Sequence, residues 1–395
     1  MKVLHITTTD SGGAGLCCLR IHESLLESGI ESKVVTVHNT KHATEEYEFG
    51  YLKNLLSRSI AKGMRLIGLP MNDRSRLGAM SQKYHAAFSL PVSSIDITQC
   101  EWIDWADIIH LHWVNNYLDY PSFFKKVKKP IVWTLHDENL FYGVAHHHKR
   151  IMPSHPLEIK YRQVKYDAVR NAENLTIVFL SEMMLNKFGN ESIIEGRDKL
   201  VINNSVNTSV FRPYDRDTMR QKYGLEVHKI VYLFIAFDIC DPNKGLDVLS
   251  ETLFRIDSDA EILAIGGNSS NRKWDNVRSV GLVYDKQKLV ELMSCANFFT
   301  MPSYQEAFSQ SPIEAMACGL PAVVFPVSGT QELINDENGV VCEDFTSESL
   351  YDGIKALISR HYNPVSIRQD IIARFSQDVI AQKYISLYKT LCSSL

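Results

Sequence analysis

Short apolar runs that alternate with helical patterns are the feature that most limits how this chain can fold. Such runs recur along all 395 residues, beginning at Lys2, Ser32, Asp107, Pro130, Leu175 and Lys199 in the first half and at Lys229, Glu261, Asn276, Ala296 and Pro321 in the second. Strands that alternate with helices form parallel sheets covered by helices. A single ordinary core does not grow to this length. The pattern therefore predicts an α/β protein with two doubly wound domains.

The polar stretch NNSVNTSVFRPYD, residues 203–215, predicts the boundary between these domains. It follows one strand and precedes a new series of strands and helices. We predict a first domain at residues 1–205 and a second domain at residues 206–375. A final helical pattern at residues 376–395 completes the chain.

Charge and cysteine spacing exclude several classes of protein. A net charge of −4 gives no general reason to expect nucleic-acid binding. The eight cysteines form no C-x-x-C pair, which argues against a zinc site or a disulfide framework and fits reduced thiols in a cytoplasm. The chain enters a strand directly, and no apolar run approaches the roughly 18 residues that span a bilayer. We expect a cytoplasmic protein that is soluble or attached to the inner surface of a membrane.

Three consecutive histidines, at positions 146–148, invite interpretation as a metal site. Neighbouring histidines point in different directions and rarely bind one ion, and no acidic or cysteine partner has suitable spacing. His110 and His112 alternate along a strand and share one face, where packing in the core is the ordinary role. We therefore expect neither a metal site nor an obligatory metal or other cofactor.

Residues 51–88 combine basic charge with apolar residues at helical spacing. Asp73 is the only acid among seven lysines and arginines in this segment. A basic amphipathic element of this kind can lie on anionic lipid headgroups. The alternative is a helix that simply packs on its own domain.

The segment PSYQEAFSQSPIEAMACGLPAVVF, residues 302–325, carries the most specific pattern. Seven residues separate Glu306 from Glu314 in the turn between a buried strand and a helix, for which Ser311 is a good N-cap and Pro312 a suitable first residue. Loops at the carboxyl edge of a parallel sheet bind ligands in α/β proteins, and a helix N-terminus can neutralise a phosphate. In the alternative interpretation Ser311 and Glu314 form only a capping box.

This segment resembles the donor-binding segment of retaining glycosyltransferases of family 4, which reads P-S-x-x-E-x-F-x-x-x-x-x-E-A-M-A-x-G-x-P. INNSVNTSVF, from residue 202, is similar to the interdomain linker of those enzymes. The resemblance implies the GT-B fold, in which two Rossmann-like domains face an interdomain cleft and the C-terminal helix returns to the first domain. It also implies an enzyme that moves a sugar from a nucleotide-sugar donor to a glycan or lipid-linked acceptor, with retention of anomeric configuration and no obligatory metal.

The resemblance assigns roles to residues of the second domain. Glu314 would hold the ribose hydroxyls, Glu306 would bind the donor sugar, and Lys244 would offset the charge on the leaving diphosphate. Backbone amides would line the same site at Ala307, Phe308, Ser309 and Gly329, with Gly329 at the start of another helix.

The first domain supplies a glycine pair and a histidine. Gly12 and Gly13 follow the first strand, where their backbone amides can approach an anion, although a tight structural turn is the alternative. The resemblance places this loop beside the transferred sugar and its diphosphate, and places His136, at the end of IVWTLH, against the donor sugar. The next residues, HDENLFYGVAHHH, resemble a subgroup that builds bacterial surface polysaccharides. They imply an acceptor side that includes Asp137, Phe141 and Tyr142. His112, on the strand IIHLHW, is a further candidate for the acceptor side, with packing in the core as the alternative.

One expected cation is missing from this chain. Members of the family carry an arginine about five residues before the lysine, where this chain has Ile239. Arg272 or Lys273 would have to replace that arginine. The missing arginine and the divergent HDENLFYG leave open a non-enzymatic scaffold protein. A nucleotide-sugar epimerase of the same fold is a second alternative.

Overall fold

The computed structural model describes residues 1–37, 73–84, 86–147, 153–327 and 329–393. The chain divides into two compact units, one formed by residues 1–202 with 381–395 and the other by residues 203–380. The division lies at the start of the polar stretch 203–215. Most of the basic segment 51–88 lies outside the described residues.

The first unit is built on a six-stranded parallel sheet. Its strands are β1 (Lys2–Ile6), β2 (Glu31–Val35), β3 (Ile108–Leu111), β4 (Ile131–Leu135), β5 (Leu175–Phe179) and β6 (Asp198–Val201). They lie in the order β2-β1-β3-β4-β5-β6. Every residue of β3, β4 and β5 is buried, as expected for parallel strands that are covered on both faces.

The second unit repeats this architecture. Its strands are β7 (Val231–Asp238), β8 (Glu261–Gly267), β9 (Val277–Ser279), β10 (Phe298–Met301), β11 (Ala322–Val324) and β12 (Gly339–Val341), in the order β12-β11-β10-β7-β8-β9. The predicted α/β class with two doubly wound domains is confirmed. Sequence analysis missed β12, because it opens with a glycine and contributes only two valines to an apolar pattern.

Helices connect the strands. The described α-helices are α1 (Gly12–Glu27), α2 (Asp73–Tyr84), α3 (Glu101–Trp105), α4 (Tyr120–Lys126), α5 (Pro156–Val169), α6 (Glu182–Phe188), α7 (Arg216–Tyr223), α8 (Leu246–Ile256), α9 (Lys286–Ser294), α10 (Gln310–Ala317), α11 (Ser347–Ser359), α12 (Pro364–Phe375) and α13 (Gln377–Ser393). Over the described ranges, none of them combines the length and the apolar character that crossing a bilayer requires.

The last helix, α13, returns to the first unit as predicted. Its residues from Ala381 onward belong to that unit. The Tyr384 hydroxyl lies 2.9 Å from the hydroxyl of Thr134 on β4, and the Tyr388 hydroxyl lies 2.6 Å from Nδ1 of His110 on β3. The helix therefore covers the face of the first sheet that carries these polar side chains.

Helix α2 forms most of the described part of the basic segment. Its Leu77 and Met80 are buried in a cluster with Phe88 and Leu90 of the same unit. The Asp73 carboxylate lies 2.6 Å from the Lys160 ammonium. This part of the segment therefore packs on its own unit, and the membrane interpretation concerns residues outside the described ranges.

Two local predictions in the second unit are wrong. Helix α10 has Ser309 as its N-cap and begins at Gln310, two residues before the predicted start. Ser311 is therefore inside the helix, and Glu314 does not occupy the third helical position that a capping box requires. Gly329 does not begin an α-helix either, because only the short 3-10 helix Gln331–Leu333 follows it.

The order of the strands selects one edge in each sheet for ligand binding. In doubly wound sheets, ligands bind beyond the carboxyl ends of the strands at which the strand order reverses. In the first sheet that point lies between β1 and β3, and in the second it lies between β7 and β10. Both pairs of loops carry residues that the sequence had singled out.

Candidate functional site

Two loops of the second unit meet at its reversal point and hold one another in place. The loop after β7 contains Asn243, whose carbonyl accepts a 2.8 Å hydrogen bond from the backbone N–H of Tyr304 in the loop after β10. Gly245 has a φ of +76°, and a Cβ there would overlap the carbonyl oxygen of Pro302. Only glycine allows both this backbone conformation and this close approach.

A third loop, after β11, packs against the second one. Gly329 has a φ of +75°, and an added Cβ would overlap the carbonyl oxygen of Ala307. Gly329 therefore lies beside the predicted donor-binding segment, although it opens no helix. Its role is a close contact between loops, which any larger side chain would disrupt.

The contact between the first two loops places Lys244 against Glu306. The Lys244 Nζ lies 2.6 Å from Oε1 of Glu306, and both side chains keep part of their surface exposed. Burial opposes the charge on the ammonium, but the charge and hydrogen bond of Glu306 and the charge of Asp241 outweigh it and raise the pKa of Lys244. The second unit thus presents a charged lysine–carboxylate pair at its reversal point.

The other predicted residues of segment 302–325 are held by contacts within the second unit. Glu314 lies within α10 and its side chain is buried. Burial, with the nearby charge of Glu314, raises the pKa of Cys318 to about 12. Phe308 is buried, and its carbonyl accepts a 3.0 Å hydrogen bond from the side-chain amide of Asn204. Ser309 is the N-cap of the helix.

Arg272, the suggested replacement for the missing arginine, lies near the start of α8. Its guanidinium is 2.7 Å from Oδ2 of Asp247, in the first turn of that helix, and contacts the ring of Trp274. About half of the Arg272 side chain is exposed. The cation is therefore held close to the helix that follows Lys244 and Gly245.

In the first unit, the glycine loop follows β1 at the reversal point. Helix α1 begins at Gly12, whose φ of +71° favours glycine. A Cβ added at Gly12 or Gly13 would meet no atom within 4 Å, so the space beside this turn is open. Gly15, which the sequence analysis missed, packs so closely that a Cβ would lie 2.6 Å from the Thr9 carbonyl oxygen.

His136 and Asp137 follow β4. Nε2 of His136 lies 3.1 Å from Nδ1 of His112. Asp137 accepts hydrogen bonds from the Trp113 indole at 2.7 Å and from the Asn139 backbone at 2.9 Å, and it lies 2.6 Å from Nδ1 of His146.

Burial, neighbouring charges and hydrogen bonds decide how Asp137 and His136 ionise. Burial alone would raise the pKa of the Asp137 carboxyl, but His146, the Asn139 amide and His147 lower it well below the ordinary value. Burial lowers the pKa of His136 to about 4, against the opposing charge of Asp137. At neutral pH, the first unit therefore presents a fixed carboxylate beside an uncharged imidazole.

Two buried ionisable side chains of helix α5 hold the loop after Asp137. The Lys165 ammonium donates to the Asn139 and Tyr142 carbonyls at 2.5 and 2.8 Å, and the Glu158 carboxylate accepts from the backbone of Val144 at 2.9 Å. Burial lowers the pKa of Lys165 to about 7, although the charges of Asp137 and Glu158 oppose it. These bonds fix a segment that has little regular secondary structure.

Three of the predicted acceptor-side residues are buried to different extents. Phe141 is buried and stacks on Phe188, with ring centroids 4.3 Å apart, so its predicted position facing an acceptor is wrong. It is apolar and lies in a short 3-10 helix that turns it toward the core. Tyr142 stays partly exposed and donates to Glu138 at 3.3 Å. His112 is buried and contacts other histidines.

Three histidines of the first sheet form a group that could hold a metal ion. One nitrogen of each of His5, His110 and His112 lies within 4.8 Å of the others. Both nitrogens of His110 are already used, with the Tyr388 hydroxyl at 2.6 Å and the Thr134 hydroxyl at 2.8 Å. A metal would have to replace one of these hydrogen bonds.

Residues that sequence reasoning missed are mainly those that position others. Asn204, Lys165 and Glu158 act on backbone groups that lie far away in the sequence, and no local pattern signals such contacts. His5 gave no signal either, because it lies within an apolar strand. The strand register places His5 beside His110, so its contact with His112 depends on side-chain rotamers as well as on the strand order β1-β3.

Comparison with known proteins identifies the second unit more closely than the first. Residues 230–360 match the family described as "Glycosyl transferases group 1". This range contains Lys244, Glu306, Glu314 and Gly329. A D-inositol 3-phosphate glycosyltransferase of Mycobacteroides abscessus is 24% identical over 217 residues, which are 45% of this chain and 48% of that protein.

A second relative comes from Campylobacter jejuni subsp. jejuni: N,N'-diacetylbacillosaminyl-diphospho-undecaprenol alpha-1,3-N-acetylgalactosaminyltransferase. It is 24% identical over 225 residues, 53% of this chain and 59% of that protein. The chain spans about half the length of the curated relatives it matches.

Solved structures match the fold over the entire chain. Sucrose-phosphate synthase from Thermosynechococcus elongatus gives a TM-score of 0.69 at 18% identity, with 100% of both chains covered. Anabaena HepE in complex with UDP and glucose gives 0.64 at 17% identity, with 98% of this chain and 99% of that chain covered. WaaG, a glycosyltransferase involved in lipopolysaccharide biosynthesis, gives 0.62 at 16% identity, covering 99% and 98%. The chain therefore has the GT-B glycosyltransferase fold.

Proposed function

Because residues 230–360 form a glycosyl transferases group 1 domain, we propose that this chain moves a sugar from a nucleotide-sugar donor to an acceptor. The observation that carries the proposal is the Lys244–Glu306 pair, 2.6 Å apart at the reversal point of the second sheet. Doubly wound sheets bind ligands at that point. The pair also lies within the segment that matches the family.

Lys244 and Glu306 have complementary roles in the proposed reaction. The ammonium stabilises the negative charge that develops on the departing nucleoside diphosphate, and the carboxylate accepts hydrogen bonds from the donor sugar. In the absence of ligand each group neutralises the other. Glu314 binds the ribose, and the loop amides of residues 307–309 line the same site.

His136 orients the donor sugar, and transfer proceeds with retention of anomeric configuration. In a front-face reaction the leaving phosphate accepts the proton of the acceptor, so the protein supplies position and charge rather than a nucleophile. No resident metal or other cofactor takes part in the proposed reaction. The Lys244 charge offsets the diphosphate instead.

The acceptor is proposed to be a glycan or a lipid-linked oligosaccharide. The name of the Campylobacter jejuni relative specifies a diphospho-undecaprenol acceptor, and WaaG is described as acting in lipopolysaccharide biosynthesis. A role in bacterial surface polysaccharide synthesis, at the inner face of the cell membrane, would be consistent with both.

A thermal-shift screen against UDP-, GDP-, ADP- and CMP-sugars tests this function. We expect one nucleotide class to raise the melting temperature of the wild-type protein, because a ligand that binds only the folded state stabilises it. The shift should shrink in Lys244→Ala and persist in Arg255→Ala, whose guanidinium forms an exposed ion pair with Glu348 in the same unit. No shift with any nucleotide sugar would instead favour a scaffold role. Donor turnover without any acceptor would favour an epimerase.

A further inference from the structure

A chain of three imidazole rings leads from the interior of the first sheet to His136. Nδ1 of His5 lies 3.0 Å from Nε2 of His112, and Nδ1 of His112 lies 3.1 Å from Nε2 of His136. The three residues come from β1 and from the ends of β3 and β4, which are neighbouring strands. Both distances are those of hydrogen bonds.

All three rings are uncharged at neutral pH. Burial lowers the pKa of His136 to about 4, and it lowers the pKa values of His5 and His112 well below the ordinary value. A neutral imidazole has one nitrogen that donates a hydrogen bond and one that accepts. Each hydrogen bond of the chain therefore fixes the tautomer of the next ring.

Only two proton arrangements satisfy both hydrogen bonds. In the first, His5, His112 and His136 all carry their proton on Nδ1, and His136 presents an N–H beyond the chain. In the second, all three carry it on Nε2, and Nδ1 of His136 is an acceptor. The tautomer at one end thus determines the tautomer at the other.

The inner end of the chain distinguishes these arrangements. Nε2 of His5 is buried and has no hydrogen-bond partner among the described residues. The second arrangement would leave a buried N–H without an acceptor, and such orphaned donors are rare in folded proteins. The first arrangement leaves only a lone pair there.

We propose that His5 and His112 are positioning residues that hold His136 as an Nδ1–H donor. No hydrogen bond among the described residues uses Nδ1 of His136, which leaves this N–H for a ligand. Its partner is an oxygen acceptor; identifying that oxygen as one of the donor sugar or its phosphate rests on the proposed function, whereas the tautomer itself does not.

Nitrogen-15 NMR of the ligand-free, histidine-labelled protein at pH 7 tests this assignment, with signals assigned by single substitutions. Two-bond nitrogen–proton correlations report which ring nitrogen carries the proton. We expect the Nδ1–H tautomer at His5, His112 and His136. The Nε2–H tautomer at His136, or an exchanging mixture of both, would overturn the assignment.

Two substitutions at His5 test how the inner end of the chain sets the tautomers. The side-chain amide introduced by His5→Asn keeps an N–H donor near the place of Nδ1, so His136 should stay Nδ1–H. The substitution His5→Leu leaves Nε2 of His112 beside an apolar side chain. Because an unpaired lone pair is tolerated there better than an unpaired N–H, His112 and His136 should also keep the Nδ1–H tautomer.

The Nε2–H tautomer at His136 in either variant would contradict the proposal that the inner end of the chain sets the tautomers. If His5→Leu does not fold, the measurement on the wild-type protein still tests the tautomer assignment. Adding Zn²⁺ to the wild-type protein provides a further check. Simultaneous changes in the nitrogen-15 chemical shifts of His5, His110 and His112 would show that these residues form a metal site rather than a hydrogen-bonded chain. We expect none. A failed donor screen would leave these tautomers unaffected, so the two proposals fail separately.

Discussion

The two units share a topology but fill its reversal point with opposite chemistry. The first unit places buried, uncharged imidazoles there, joined by hydrogen bonds of 3.0 and 3.1 Å. The second unit places a partly exposed lysine–carboxylate pair at the corresponding position. One sheet edge is therefore suited to orienting a neutral ligand group, and the other to holding charge. The fold supplies the location, whereas the side chains decide the chemistry.

The largest difference between the units should appear on acidification. Burial lowers the pKa values of five histidines of the first unit, at positions 5, 22, 110, 112 and 136. A histidine with a lowered folded-state pKa stabilises the fold fully above its unfolded pKa of about 6.5, and this stability is lost as the pH falls. Each histidine contributes a slope of about 1.4 kcal/mol per pH unit. The first unit should thus lose several kcal/mol of stability between pH 6.5 and 5.

Tryptophan fluorescence during urea unfolding can follow this loss. Four of the five tryptophans lie in the first unit, and Trp274→Phe removes the fifth. By contrast, hydrogen bonds from Lys222, Tyr223 and Gln287 lower the pKa of Glu291, in the second unit, to about 2. The stability due to this carboxylate is lost only below its unfolded pKa, near 4.5. If the urea concentration at the unfolding midpoint of the first unit did not change between pH 6.5 and 5, the account based on buried histidines would be contradicted.

Substitution of Lys244 should have the next largest effect. Loss of a group that stabilises transition-state charge typically costs about 3–4 kcal/mol, which corresponds to two to three decades in rate. We expect Lys244→Ala and Glu306→Ala each to lower kcat/KM at least tenfold in an assay with the donor found by screening. Arg255→Ala removes a surface cation from the same unit and should leave kcat/KM within about twofold. Near-normal activity of both site variants would refute the assignment.

Glycine substitutions compare the free energy of unfolding for the loop after β7 in the second unit and the loop after β1 in the first. Gly245→Ala combines a positive φ with overlap on the Pro302 carbonyl, and it should cost about 3 kcal/mol. Gly12→Ala has the same backbone strain but open space around its Cβ, and it should cost about 1 kcal/mol. Urea unfolding measures both. If both substitutions lowered the free energy of unfolding equally, the loop that contains Gly245 could move away from Pro302 easily.

The smallest expected effect concerns the missing arginine. Arg272→Ala breaks an exposed ion pair with Asp247, which contributes at most about 1 kcal/mol to stability. If Arg272 reaches a bound diphosphate, donor affinity should fall about two- to fivefold in calorimetry. Unchanged affinity would remove this residue from the proposed site.

Sequence analysis predicted the strands well because each is a short, continuous apolar run. It identified all described strands except β12, a glycine followed by two valines. It placed the start of α10 two residues late, because Ser311 and Pro312 imitate an N-terminal pattern that the structure uses at Ser309. Local signals of this kind predict that a helix or strand exists more reliably than they predict the residue at which it begins.

The candidate sites were less accessible to sequence reasoning. Lys244 and Glu306 were paired through their resemblance to a family pattern, since 62 positions separate them in the chain. Phe141 was placed on the acceptor side by the same resemblance, but its ring stacks in the core. The contact between His5 and His112 depends on strand order and on side-chain rotamers, and neither can be derived from one sequence.

Calorimetric titration with UDP, GDP and ADP tests the Lys244–Glu306 site most directly. If the ammonium holds the diphosphate and the carboxylate holds the sugar, Lys244→Ala should weaken nucleoside diphosphate binding at least tenfold, about 1.4 kcal/mol. Glu306→Gln should bind the nucleotide at least as tightly as the wild type, because it frees the ammonium. Equal affinity in the wild type and Lys244→Ala, or no binding of any of the three nucleotides, would contradict the account.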